Sequence, residues 1–217
     1  MSSRTARALI AWPGWAHLRY ALGRMLLVSL WFGLVYGGLD RLTAWRTWRV
    51  PVHMAWELDM PLIPGFVLAY VSIYGLFLLV PFALRTRCEI DRLAREQAVV
   101  IALAGLGFLC LPAGLAYAAP KNLGHWEKLF QWADQVNLDH NLVPSLHVAL
   151  SVVCAEAMAT GVRGLTRWVL RGWVLLIAIS TLLTQQHHVL DVVAGCALAL
   201  GIRWYFQRGS YKLAGSM

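Results

Sequence analysis

Residues 97–119 read QAVVIALAGLGFLCLPAGLAYAA, a stretch without one charged side chain. About 20 apolar residues cross the hydrocarbon layer of a bilayer as a helix, so this stretch alone points to a membrane. Similar runs recur on either side of it, near 22–39, 62–84, 144–161, 165–184 and 188–206. The reading is an all-α polytopic membrane protein, a six-transmembrane-helix bundle that takes up residues 1–217 as a single domain. No room is left for a second, soluble domain.

The composition agrees, with 59% hydrophobic residues and 14% charged against roughly 25% charged in an ordinary soluble domain. The formal net charge of +8 comes from basic residues scattered between apolar runs. A nucleic-acid partner would require them clustered in a stripe. Their distribution reports orientation instead. With the N-terminus cytoplasmic, fourteen Lys and Arg fall on the inner side and five (Arg41, Arg46, Arg49, Lys121 and Lys128) on the outer. By the positive-inside rule both termini are cytoplasmic, and loops 40–61, 120–143 and 185–187 face outward. Trp45, Trp48 and Trp56 in the first of these suit the headgroup layer as anchors. The four cysteines show no metal-type spacing and no disulfide framework.

Residues 1–21 form an expected interfacial N-terminal segment. Arg4 and Arg7 precede an apolar piece broken by Pro13 and Gly14, which does not read as a cleavable signal. Residues 8–19, with Trp12 and Trp15 beside arginines, either lie as a helix on the inner leaflet or open the first span.

In so apolar a chain, polar residues near spans are costly unless paired or placed in a wet cavity, and they gather at two places. Residues 141–147 read Asn-Leu-Val-Pro-Ser-Leu-His before the fourth span, and 184–191 read Thr-Gln-Gln-His-His-Val-Leu-Asp before the sixth. Pro144 fits the first turn of a helix. Ser145 and His147 then stand at a helix N-terminus, where free N–H groups favour phosphate; as a plainer alternative, Ser145 only caps the helix. His187 and Asp191 are four residues apart. On a helix they share a face, so the carboxylate can orient the imidazole, whether for catalysis or as a structural ion pair.

Taken together, Pro144-Ser145-Leu146-His147 and Ser180-Thr181, five residues, His187, three residues and Asp191 resemble two signatures of the type 2 phosphatidic acid phosphatase (PAP2) superfamily. Leu146 stands where glycine is usual, and Thr181 where a phosphate-binding arginine is usual. These departures, with Ile63-Pro64-Gly65 through Pro81-Phe82, look like the branch of inositol phosphorylceramide synthase relatives. The first family signature is absent as written. In its place, at the outer end of the third span, stands Lys121, either the replacement phosphate-binding cation or an ordinary interfacial lysine.

The resemblance implies a metal-independent lipid phosphatase working at the outer leaflet. In it His187 attacks phosphorus to form a phosphohistidine, Asp191 orients its ring, and His147 serves as acid and base. Ser145 and Lys121 would bind the substrate phosphate. No metal and no cofactor is expected. The partners are a lipid phosphate or pyrophosphate and the bilayer, with the oligomeric state open. Two alternatives stand beside hydrolysis: transfer of a phosphoryl unit onto a lipid or sugar hydroxyl, and a non-catalytic transporter or lipid-binding protein. His188 is expected to be interfacial, Glu156 to be paired structurally or to snorkel, Asp139, His140 and Asn141 to position their loop or touch a headgroup, and Gln185 and Gln186 to hydrogen-bond near the site.

Overall fold

A computed structural model describes residues 7–121, 123–136 and 141–214. Helix α1 (Trp15–Phe32) continues through a π-helical turn, Gly33–Gly37, into α2 (Gly38–Ala44). Then come α3 (Val67–Val71), α4 (Ile73–Ala83), α5 (Arg87–Cys110), α6 (Glu127–Val136), α7 (Leu146–Ala159), α8 (Leu165–Leu183) and α9 (Val189–Ala214). Among the described residues the only β pairing is one isolated bridge, Val50 to Ala113.

The all-α membrane bundle expected from the sequence is what the chain forms, with one qualification about the spans. Among the described residues five helical stretches are long and apolar enough to cross a bilayer: Trp15–Ala44, Pro64–Ala83, Arg87–Cys110, Leu165–Leu183 and Val189–Arg208. The sixth, α7, has 14 residues, or about 21 Å at 1.5 Å per residue. It is packed among α4, α5, α8 and α9 and nearly every one of its residues is buried. An all-round apolar helix belongs to an interior. Exposed large apolar side chains lie instead on the surrounding helices, for example Leu30 on α1 and Leu34 in the π turn after it, Trp168 and Leu175 on α8, and Val193 and Trp204 on α9.

Both boundaries of the third span move, each for a local reason. Helix α5 starts ten residues before the expected 97 because Thr86 and Glu89 close a capping box. Glu89 N–H donates to Thr86 Oγ1 at 3.2 Å and Thr86 N–H to Glu89 Oε2 at 3.0 Å, satisfying the open amides of the first turn. It stops at Cys110 because Leu111 precedes Pro112, and a pre-proline residue is driven to extended backbone; Leu111 has φ −128° and ψ 80°. Tyr117 and Lys121 are therefore on coil rather than at a helix end.

Residues 8–19 are not a single helix. Gly14, at φ 77°, turns the chain and α1 begins at Trp15, so this segment's second half opens the first span. Its first half is a strap across the bundle end: Arg7 N–H reaches Gly161 O at 3.4 Å and Ala11 N–H reaches Phe82 O at 3.2 Å. The loop 120–143 contains an element that the sequence reading lacked, the amphipathic α6. Its Phe130 and Ala133 are buried against Val67 and Tyr70.

Candidate active site

The two polar clusters meet where the start of α7 docks on the start of α9. Ser145 N–H donates to Asp191 O at 3.0 Å. Gly195, one turn further along α9, lies so close to Ser145 that a Cβ there would sit 2.5 Å from its carbonyl oxygen. Behind α7, Gly107 of α5 makes room for Pro144 in the same way, at 2.7 Å.

Pro144 lies before the helix, and Ser145 is its N-cap: Val148 N–H donates to Ser145 Oγ at 3.3 Å. The capping alternative for Ser145 is thus realised, and the side chain is fully buried. His147, in the first turn, donates from Nε2 to the Tyr70 carbonyl at 2.9 Å, since a carbonyl can only accept. Its ring stacks on Tyr70 at 4.0 Å. Nδ1 remains as the nitrogen for chemistry.

His187 does not lie on α9, which begins at Val189, so its pairing with Asp191 comes from the turn between α8 and α9. Helix α8 ends in a Schellman arrangement. Gln186 N–H donates to Thr181 O at 2.9 Å and Gln185 N–H to Leu182 O at 2.9 Å, with Gln185 left-handed at φ 57°. His187 N–H joins on the same Thr181 carbonyl at 3.1 Å. Thr181, where the resemblance expects arginine, is buried with Oγ1 turned back onto Ala178 O. Its main chain, rather than a cationic side chain, serves the site.

So held, His187 Nδ1 faces Asp191 Oδ2 at 3.3 Å, with the imidazole 3% exposed and the carboxylate fully buried. The carboxylate fixes the proton on Nδ1 and leaves Nε2 with its lone pair. Asp191 Oδ2 also accepts His188 N–H at 2.9 Å. Oδ1 is buried without a hydrogen-bond partner among the described residues.

His147 and His187 line one cavity of about 320 Å³. Tyr36, Tyr70, Tyr74, Trp132 and Asn141 surround the histidine end, and Asn141 donates to Tyr36 O at 2.6 Å. From there the cavity follows α1, α4 and α5 past Phe32, Phe77 and Ile101 to Leu93 and Arg24. Tyr36 and Arg24 are twelve residues apart on continuous helix, about 18 Å. The walls are mainly apolar, and the histidines mark one end.

The expected site residues separate into three groups. His187, His147 and Asp191 come together. Ser145 lies beneath them as a support. Lys121 is exposed on coil and is not among the residues lining the cavity. Asp139 and His140 lie outside the described residues. Gln186 reaches Asp134 of α6 at 3.0 Å, and Gln185 reaches Met60 O at 3.0 Å, so both glutamines tie loops to the site. Among the described residues no three His, Cys, Asp or Glu side chains converge as metal ligands.

His188 corrects the interfacial reading, because it is fully buried. Ala116 N–H donates to its Nε2 at 3.1 Å, so its proton is on Nδ1 and goes to Glu57 Oε2 at 3.0 Å. Burial holds this imidazole below the ordinary histidine range against the pull of Glu57. Glu57, itself fully buried, also accepts Val189 N–H at 3.1 Å and Met54 N–H at 3.2 Å. Tyr117 stacks on His188 at 4.8 Å. Sequence reading missed Glu57 altogether. Its partner is 131 residues away, and the only local signal was its place three residues after Met54, where an acid caps a helical turn.

A family model described as the PAP2 superfamily matches residues 65–205, and the chain belongs to that superfamily, whose members are phosphatase-type enzymes. The match spans α3 to α9 and takes in every residue of the His147–His187–Asp191 cluster. No curated protein matches the chain.

Proposed function

We propose that the protein hydrolyses a lipid phosphate or pyrophosphate at the outer leaflet through a phosphohistidine. The observation that carries this reading is the pair of histidines, one oriented by Asp191, at the end of a single apolar-walled cavity. Such a cavity suits a substrate whose hydrocarbon tail lies along α1, α4 and α5 while its phosphate reaches the imidazoles. In the first step His187 Nε2 bonds to phosphorus. The bond to the leaving oxygen breaks, and that oxygen takes the Nδ1 proton of His147, which enters the step as the imidazolium and leaves it neutral, its Nε2–H still on the Tyr70 carbonyl. In the second, His147 removes a proton from water, whose oxygen displaces His187 and releases phosphate. Asp191 stabilises the imidazolium that forms between the steps. Amides at the start of α7 meet the developing charge, with Ser145 shaping that helix end and Lys121 offered as a cation from the neighbouring coil.

Orientation rests on the basic-residue asymmetry, which assigns both termini to the cytoplasm and the histidine end to the outer face. A tag in loop 120–143 reachable in intact cells supports that topology; reactivity only after permeabilisation overturns it.

Transfer to a hydroxyl is favoured as a second reading by one observation: His187 is nearly sealed from bulk water at 3% exposure. Leu146 and Thr181, whose departure from the usual signatures resembles the inositol phosphorylceramide synthase branch, support the same reading. Purified protein incubated with a panel of lipid phosphates and pyrophosphates, with and without alcohols, separates the readings. Phosphate released without an acceptor means hydrolysis, and product formed only with an alcohol means transfer. Failure to trap acid-labile, base-stable phosphate on the protein with any turned-over substrate would overturn both.

A further inference from the structure

At the ends of α7 and α9 remote from His187, a second cavity of about 580 Å³ opens between the 7–14 strap, the start of α5, the α7–α8 turn and α9. Arg203 follows Asp191 by twelve residues on α9, which sets the two sites about 18 Å apart. Arg7, Arg92, Arg163, Arg167 and Arg203 line this second cavity. Only two acids join them. Glu89 pairs with Arg7 at 2.8 Å, while Glu96 is shared by Arg92 at 3.0 Å and Arg203 at 2.6 Å. Both carboxylates are thus already engaged, and the lining keeps a surplus of three positive charges.

Two details show that the surplus is not fully answered among the described residues. Arg92 Nη2 is buried without a hydrogen-bond partner among the described residues, and a buried donor left unmade is costly. Arg163 enters the cavity from the α7–α8 turn while remaining exposed. The Arg7 guanidinium lies directly over Gly161, in the space a Cβ there would take. Guanidinium forks match phosphate oxygens. The adjoining strap and helix start expose Ile10, Trp12 and Trp15, residue types suited to headgroup depth.

We propose that this cavity is a binding site for a phosphate-bearing anion, supplied by an anionic lipid headgroup or by a soluble phosphorylated compound, separate from the histidine site. Basic pockets between membrane helices bind such groups through charge and fork geometry together. The inference stands whether or not the histidine site hydrolyses anything.

The test measures binding of inorganic pyrophosphate, and separately of phosphatidylglycerol in nanodiscs otherwise made of phosphatidylcholine. The proteins compared are the unaltered chain, Arg163→Gln, Arg92→Gln and the same-end control Arg19→Gln, whose residue is exposed outside the cavity. Arg163→Gln and Arg92→Gln should each weaken binding about tenfold, with Arg19→Gln close to the unaltered protein. Because Arg92 also pairs with Glu96, Arg163→Gln gives the outcome should Arg92→Gln fold poorly. Saturation by pyrophosphate alone identifies a soluble ligand, and dependence on phosphatidylglycerol a lipid one; both support the proposal. Binding that ignores Arg163, or no binding of either probe, overturns it.

Discussion

Helices α1 and α9 are both apolar and both border chemistry, yet they are built into the molecule differently. Of the apolar stretch of α1 only 6% is buried inside the protein, against 44% in α5. Its ties run along one face: Ala21 in the core, His17 Nε2 to Leu84 O at 2.9 Å, Tyr20 hydroxyl and Arg24 Nε to Asp91 at 2.6 and 2.8 Å, and Trp31 Nε1 to Ala98 O at 3.1 Å. The start of α9, in contrast, is held by Glu57 through Val189, by Ser145 through the Asp191 carbonyl and by the close approach at Gly195. One helix is a wall of the cavity and the other is its foundation. Damage near α9 should therefore remove activity, and damage to α1 should alter which substrate is preferred.

The sharpest break of this contrast is His187→Ala, expected to lower phosphate release or transfer by about 10⁴-fold or more, as nucleophile losses do. Undiminished turnover would reject the nucleophile assignment. Glu57→Gln comes next. It trades a buried charged acceptor of three hydrogen bonds for an amide that must turn one donor toward another, a loss of about 1.5–3 kcal/mol. Thermal unfolding should shift downward and kcat fall with it, although Glu57 does not line the cavity. Gly195→Ala should cost about 1–3 kcal/mol by overpacking, visible as lower thermal stability; an unchanged melting temperature would mean that the α7–α9 seam is looser than described. On α1, Phe32→Ala should move KM by about tenfold for long-tailed substrates with kcat nearly kept. A loss of kcat as large as that at Glu57 would erase the distinction between wall and foundation. Smallest of all, a chelator such as EDTA should leave activity unchanged, and a strict magnesium requirement would contradict the metal-free steps.

Much of this was legible in the chain because the bilayer imposes a length. Apolar runs of about 20 residues reveal helices without knowledge of their neighbours, and of the two fates expected for Glu156, pairing or snorkelling, the structure shows pairing, with Arg171 at 2.7 Å. Hydropathy could not tell that α7 is enclosed by other helices, since lipid and protein interior are equally apolar to a leucine. Local spacing brought His187 and Asp191 together for a reason that does not hold. They were expected on one helical face, whereas the turn after α8 joins them. Glu57 and His188 were illegible because burial is a property of the folded chain: a lone acid in a tryptophan-rich loop and a second histidine beside the first both look solvent-facing until residues 113–117 and 54–57 close over them.

The contacts that aim the histidines run largely through carbonyl and amide groups: Tyr70 O under His147, Thr181 O under His187, Ser145 N–H on Asp191 O, and Ala116 N–H behind His188. Alanine scanning keeps every one of these atoms and will pass over the positions that matter most for alignment. Proline or ester replacement at Ser145, Ala116 or His187 would remove a donor that no truncation of a side chain can reach.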